Sequence, residues 1–139
     1  MKKVFILPMI VLIFSTIISC DDDDDYEEIT AVYATKIDSV QIPTDTMFLG
    51  MTQEMKVYST FAKSCEGIYS YDYQYTNDSV RTVINYAFKT NAPCADGTYV
   101  DGSRIHFKPL TTGTYTFKFF AGKDGAGANT FLEKKVVVE

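Results

Sequence analysis

The chain has no tryptophan, one histidine, four prolines and three cysteines in 139 residues. Each scarcity removes a class of function. A lone His106 cannot supply both a base and a ligand, and two cysteines beside it fall short of the four ligands usual at zinc. No glycine-rich phosphate cradle and no glycine-flanked serine of the nucleophile-elbow type occurs. A carboxylate pair assembled by the fold is the one catalytic arrangement left open, and no segment points to one. The expectation is a protein that is not an enzyme, with no cofactor and no metal. An excess of basic residues is missing too: from Ile29 onward eleven acids face eleven Lys and Arg. That neutrality lacks the clustered basic face of a nucleic-acid binder. Nor is there an apolar run of the roughly 20 residues a spanning helix needs. The run Val4 to Ile18 is fifteen residues long and contains Pro8, Ser15 and Thr16.

What is present begins at the N-terminus. Lys2-Lys3, that apolar run, Ile17-Ile18-Ser19-Cys20 and five aspartates follow one another. A plain secretory peptide ends in small residues at positions minus three and minus one, and here Ile17 holds the minus-three place. The segment instead resembles the bacterial lipobox. The resemblance implies a signal peptide over residues 1–19, acylation of Cys20, and the membrane as a partner through the N-terminal lipid. With Cys20 acylated, Cys65 and Cys94 are left as an even pair in an oxidising compartment, and a structural disulfide is the expectation over a metal site or a reactive thiol. Seven of the eighteen acids lie in Asp21 to Glu28. Like charges repel, so residues 20–36 read as an acidic, extended tether. Such a run is a solubilising spacer at its plainest. It also resembles the export signal of Bacteroidetes surface lipoproteins, which implies an outer-membrane anchor facing the cell surface. The enteric rule, in which aspartate beside the cysteine retains a protein at the inner membrane, is the rival.

Residues 37–139 make one modest domain. Helical periodicity is absent, and alternation between turn signals predicts antiparallel strands. These are Ile37 to Ile42, an edge piece at Thr46 to Leu49, Gln53 to Phe61, Ile68 to Tyr75, Val80 to Phe88, Arg104 to Lys108, Tyr115 to Ala121 and Thr130 to Val138. Met55, Val57, Ser59 and Phe61 share a face, as do Val80, Thr82, Ile84, Tyr86 and Phe88. Thr76-Asn77-Asp78-Ser79 reads as a turn. An all-β sandwich of about seven strands fits this spacing. In Gly113-Thr114-Tyr115-Thr116-Phe117 the tyrosine resembles the tyrosine corner of immunoglobulin-like domains. As a whole the chain resembles small Bacteroidetes surface lipoproteins with an immunoglobulin-like domain, a likeness that implies address and architecture and no activity.

Strand reversals place Ala62 to Gly67, Thr90 to Gly102 and Gly122 to Asn129 at one pole, together with both cysteines. This is the pole of recognition loops in immunoglobulin variable domains, and its candidate binding residues are Asn91, Asp96, Tyr99, Asp101 and Asp124. Any surface loop has such a composition. Asp124-Gly125 lacks the spacing of a calcium loop. Tyr69, Tyr71, Tyr73 and Tyr75 alternate along one strand. With Ile68, Ser70, Asp72 and Gln74 opposite, they are expected in the core, the alternative being an exposed platform for sugar rings. Asp38-Ser39-Val40, Asp45-Thr46-Met47 and Asp78-Ser79-Val80 resemble the O-glycosylation sites of such bacteria, implying Ser39, Thr46 and Ser79 as acceptors. Two functions follow: a surface binding or adhesion module for a glycan or protein, or a structural or accessory subunit of an outer-membrane complex.

Overall fold

A computed structural model describes residues 27–139; the signal segment, Cys20 and the five aspartates lie outside the described residues. Nine strands follow in order, and no helix is found among these residues. They are β1 (Ile29–Thr35), β2 (Ser39–Gln41), β3 (Thr46–Met47), β4 (Gln53–Lys63), β5 (Glu66–Tyr75), β6 (Val80–Thr90), β7 (Asp96–Phe107), β8 (Gly113–Lys123) and β9 (Asn129–Val138). Two sheets pack face to face as a β-sandwich. The larger runs β1-β6-β8-β9-β3 with β5 on the other edge of β6, and the smaller is β2-β4-β7. The β6–β8 and β3–β9 pairs are parallel, whereas both immunoglobulin sheets are antiparallel.

The core is built where two period-two patterns meet. In β4, Met55, Val57, Ser59 and Phe61 are all buried, the face that alternation predicts. Opposite them lie Val83, Phe117, Phe119 and Val136, with Ile105 and Phe107 from β7. Phe107 meets both Tyr115 and Phe117 edge to face at ring-centroid distances of 4.9 Å. The Tyr115 hydroxyl donates to the Thr111 carbonyl at 3.0 Å, so the Gly113 to Phe117 motif does fold its tyrosine back on the preceding connection. Ile37 plugs the place where the chain crosses between sheets, its N–H on the Phe120 carbonyl while the Asp38 N–H reaches Tyr58 of the other sheet.

Three expectations are corrected. The strand β1 lies within the segment read as tether: Ile29 to Thr35 pair with Thr90 to Asn85 of β6, so the fold starts eight residues before Ile37. Every residue of β1 but Thr35 is exposed, so no burial pattern marks the strand in the sequence. On β6 the apolar row Val80 to Phe88 is only half-buried, and the core face carries Arg81, Val83, Asn85 and Ala87. Two polar residues on that face obscured its role. Asn85 justifies its place by donating to Ser59 Oγ across the sheets at 3.3 Å. Finally β7 begins at Asp96 and not Arg104, because its first residues pair with Lys63, Phe61 and Thr60 of β4.

Cys65 and Cys94 are joined by a disulfide that ties the β4–β5 turn to the β6–β7 connection. Backbone bonds from Ser64 to Ala95 and from Thr90 to Cys65, both 3.0 Å, fasten the same two segments. Strand directions put these turns and the β8–β9 turn at one pole, as expected. The chain enters there as well, since Ile29 sits opposite Thr90.

Candidate functional site

The sequence-predicted binding residues stand at or near the disulfide pole, and four of the five have a structural task. Asn91 accepts from the Glu28 N–H through its side chain at 2.9 Å and donates its own N–H to the Glu28 carbonyl at 3.0 Å. It holds the incoming chain. Asp124 closes the β8–β9 turn by accepting from the N–H groups of Ala126 and Ala128, both at 2.9 Å. Gly127 takes the positive φ of 83° that this turn requires. Asp96, Tyr99 and Asp101 lie on strand β7 and not in a loop. Asp96 is exposed beside Lys63. Tyr99 packs on Phe61, its hydroxyl raised above the usual tyrosine value by burial and then by the carboxylates of Asp101 and Glu66. Asp101 accepts the Ile68 N–H at 3.1 Å, a bond from β7 across to β5.

That last bond matters because β5 and β7 are each an edge strand of their sheet. Near the disulfide pole, Asp101 laces them together. Towards the other pole they part, and a cleft of about 610 Å³ opens between them. Tyr71, Tyr73 and Tyr75 of β5 line one wall, Ile105 to Phe107 of β7 the other. The turn Asn77–Asp78 and the connection Lys108 to Thr111 form its end.

The tyrosine row was expected in the core. Tyr71, Tyr73 and Tyr75 do share the inward face, being opposite Asn85, Val83 and Arg81. The smaller sheet, however, stops at β7 and does not reach over β5. Only Tyr73 is half-buried against the core, whereas Tyr71 is 39 % and Tyr75 73 % exposed. Tyr69 has left the row altogether. A register shift between Ile68 and Ser70 inserts it as an extra residue, 56 % exposed. Just above this bulge Gly67 lies beneath Phe88, where an added Cβ would meet the ring at 2.8 Å.

Arg81 anchors the far end of the cleft, and sequence reasoning missed it. It is 7 % exposed, its Nη1 donating to the carbonyls of Asn77 at 2.6 Å and Val80 at 3.1 Å, and its Nη2 to that of Asp78 at 3.1 Å. Asn77 in turn caps the turn by accepting from the Ser79 and Val80 N–H groups. The guanidinium lies 4.3 Å from the Tyr75 ring centroid and 5.3 Å from that of Tyr115, both within cation–π range. The signal that could have found it was an arginine just after the Asn77 to Ser79 turn, within reach of that turn's carbonyls. His106, exposed at the rim, approaches Glu54 at 3.5 Å. Chemically the cleft offers flat aromatic faces beside fixed cationic and hydroxyl donors, an arrangement for stacking and hydrogen bonding.

Tyr73 gives a measurable handle on this wall. Burial pushes its hydroxyl up to about 12, against the opposing pull of the Arg81 charge. A raised folded-state value means that the buried neutral form stabilises the fold fully below the unfolded tyrosine value near 10. This contribution is lost as pH rises from about 10 through 12. Urea midpoints measured across that interval are expected to fall, and to fall less steeply in Tyr73→Phe.

The domain is thus an all-β sandwich with an aromatic cleft on its open edge. No family model, curated protein or solved structure matches the chain.

Proposed function

We propose that this protein is a lipid-anchored surface binding module whose ligand site is the tyrosine cleft, and that its ligand is a glycan. The observation carrying this reading is the row Tyr71, Tyr73 and Tyr75, which faces inward yet runs past the edge of the opposing sheet. Two large aromatic faces are left in solvent beside polar donors. Aromatic faces stack on sugar rings while hydroxyl and cationic donors orient them.

The lipobox resemblance supplies the tether, through Cys20, and β1 shortens it. From Cys20 to Glu28 is eight residues, a reach of at most about 26 to 29 Å. The eleven-residue strand β4 is itself about 36 Å long. A domain held this way keeps its disulfide pole towards the membrane and the tyrosine cleft away from it. The cleft, and not the disulfide pole, therefore faces outward in this reading.

Binding of the detergent-solubilised full chain to a glycan array tests the reading. Tyr71→Ala with Tyr75→Ala is expected to lower the signal at least tenfold while leaving the near-ultraviolet dichroism of the core intact. An undiminished signal would move the site elsewhere.

A second reading, the accessory subunit, is favoured by one observation. Phe48, Leu49 and Met51 form an apolar tip between β3 and β4 at the cleft pole, 65 %, 48 % and 55 % exposed. Recovery of a stoichiometric partner complex after mild solubilisation, lost on replacing these three residues with serine, would support that role over glycan capture.

A further inference from the structure

Arg81 is a buried cation without a counterion: it forms no ion pair with any described carboxylate. Buried charges are ordinarily paired, because desolvating a guanidinium is costly. Here three backbone carbonyls and two aromatic faces compensate in part. An arginine has five N–H donors, and the three bonds to carbonyls leave two over. One is Nε, which is buried and has no acceptor. The remaining pair matches the two oxygens of a carboxylate, for which arginine forms a fork of parallel bonds. Tyr75 lies over the guanidinium at 4.3 Å, and it is the most exposed tyrosine of the row, so its ring has room to turn away. The charge around the cleft agrees: Arg81 and Lys108 line it against the single acid Asp78.

We infer that the cleft takes an acidic glycan, a uronic or sialic type of sugar whose carboxylate completes Arg81 while its ring stacks on Tyr71 or Tyr75. This rests on the glycan reading of the cleft. Binding turns Tyr75 off the guanidinium and gives Arg81 the counterion that none of the described residues provides.

The test uses the full chain in detergent on an array carrying oligogalacturonate, oligomannuronate, hyaluronan and sialylated oligosaccharides. Each is spotted beside its carboxyl-methylated form, with neutral glucans, xylans and mannans as controls. The expected result is a signal on at least one acidic glycan that falls tenfold or more when its carboxyls are methylated. This comparison needs no variant and so does not depend on the turn that Arg81 supports. Arg81→Lys, which keeps the charge and loses the fork, is expected to remove most of that difference. Equal signals on acidic and methylated forms, or signals on neutral glycans alone, would overturn the acidic ligand and leave the glycan reading standing. Silence across the whole array would overturn both.

Discussion

Replacing Phe117 with alanine is expected to destabilise the domain by about 3 to 5 kcal/mol, the usual cost of emptying a large buried aromatic site. Phe117 is fully buried, stacks along Phe119 at 6.1 Å between centroids and meets Phe107 edge to face. It therefore touches both sheets through one side chain, and neighbouring strands held in register by backbone bonds cannot collapse into the space. Against a total stability of about 5 to 15 kcal/mol, such a loss is large enough to move a urea midpoint well outside error. A change below about 1 kcal/mol would mean that the sheets are not packed around this residue.

Loss of the Cys65–Cys94 bridge is expected to cost a comparable amount. The bridge spans 29 positions, and the chain-entropy relation for a loop of that size gives about 3 to 4 kcal/mol. The paired variant Cys65→Ala with Cys94→Ala checks this without reductant, by urea denaturation beside the parent. Alkylation adds a second readout. Neither thiol in the native protein is expected to react before reduction, although Cys94 lies in an exposed connection. Quantitative labelling of both in the unreduced protein would contradict the bridge. Its position also explains why reduction is expected to loosen the disulfide pole first. The β4–β5 turn, the β6–β7 connection and the point where β1 meets β6 are all fastened there.

The all-β sandwich, the Thr76 to Ser79 turn, the cysteine pair and the β4 face were legible because each rests on a local pattern. Alternation reports which residues of a strand share a side, and turn chemistry reports where it reverses. What alternation cannot report is whether anything lies opposite that side. Tyr71, Tyr73 and Tyr75 do face inward, but whether an inward residue becomes core depends on the width of the other sheet, a non-local property. The same blindness concealed Arg81. A charged residue in β6 suggests the outer face, and only the partnership with Asn77, Asp78 and two aromatic rings makes its burial tolerable. Tyr69 was lost for a further reason, since one inserted residue shifts all that follows to the other face. The candidate residues at the disulfide pole were chosen by composition. Asn91, Asp101 and Asp124 are polar because backbone N–H groups at turns and edges need acceptors, and that requirement leaves the same signature as a binding loop.

Which end of the sandwich meets the ligand decides between the tyrosine cleft and the disulfide pole. Two-dimensional amide spectra of the isotope-labelled chain in detergent, recorded with and without the strongest-binding array glycan, locate it directly. The expected result is a set of shifts confined to Tyr71 to Arg81 and to His106 through Thr111, with Asn91 to Asp96 and Asp124 to Ala128 unmoved. Shifts concentrated at the Asn91 and Asp124 turns, with the tyrosine strand silent, would contradict it.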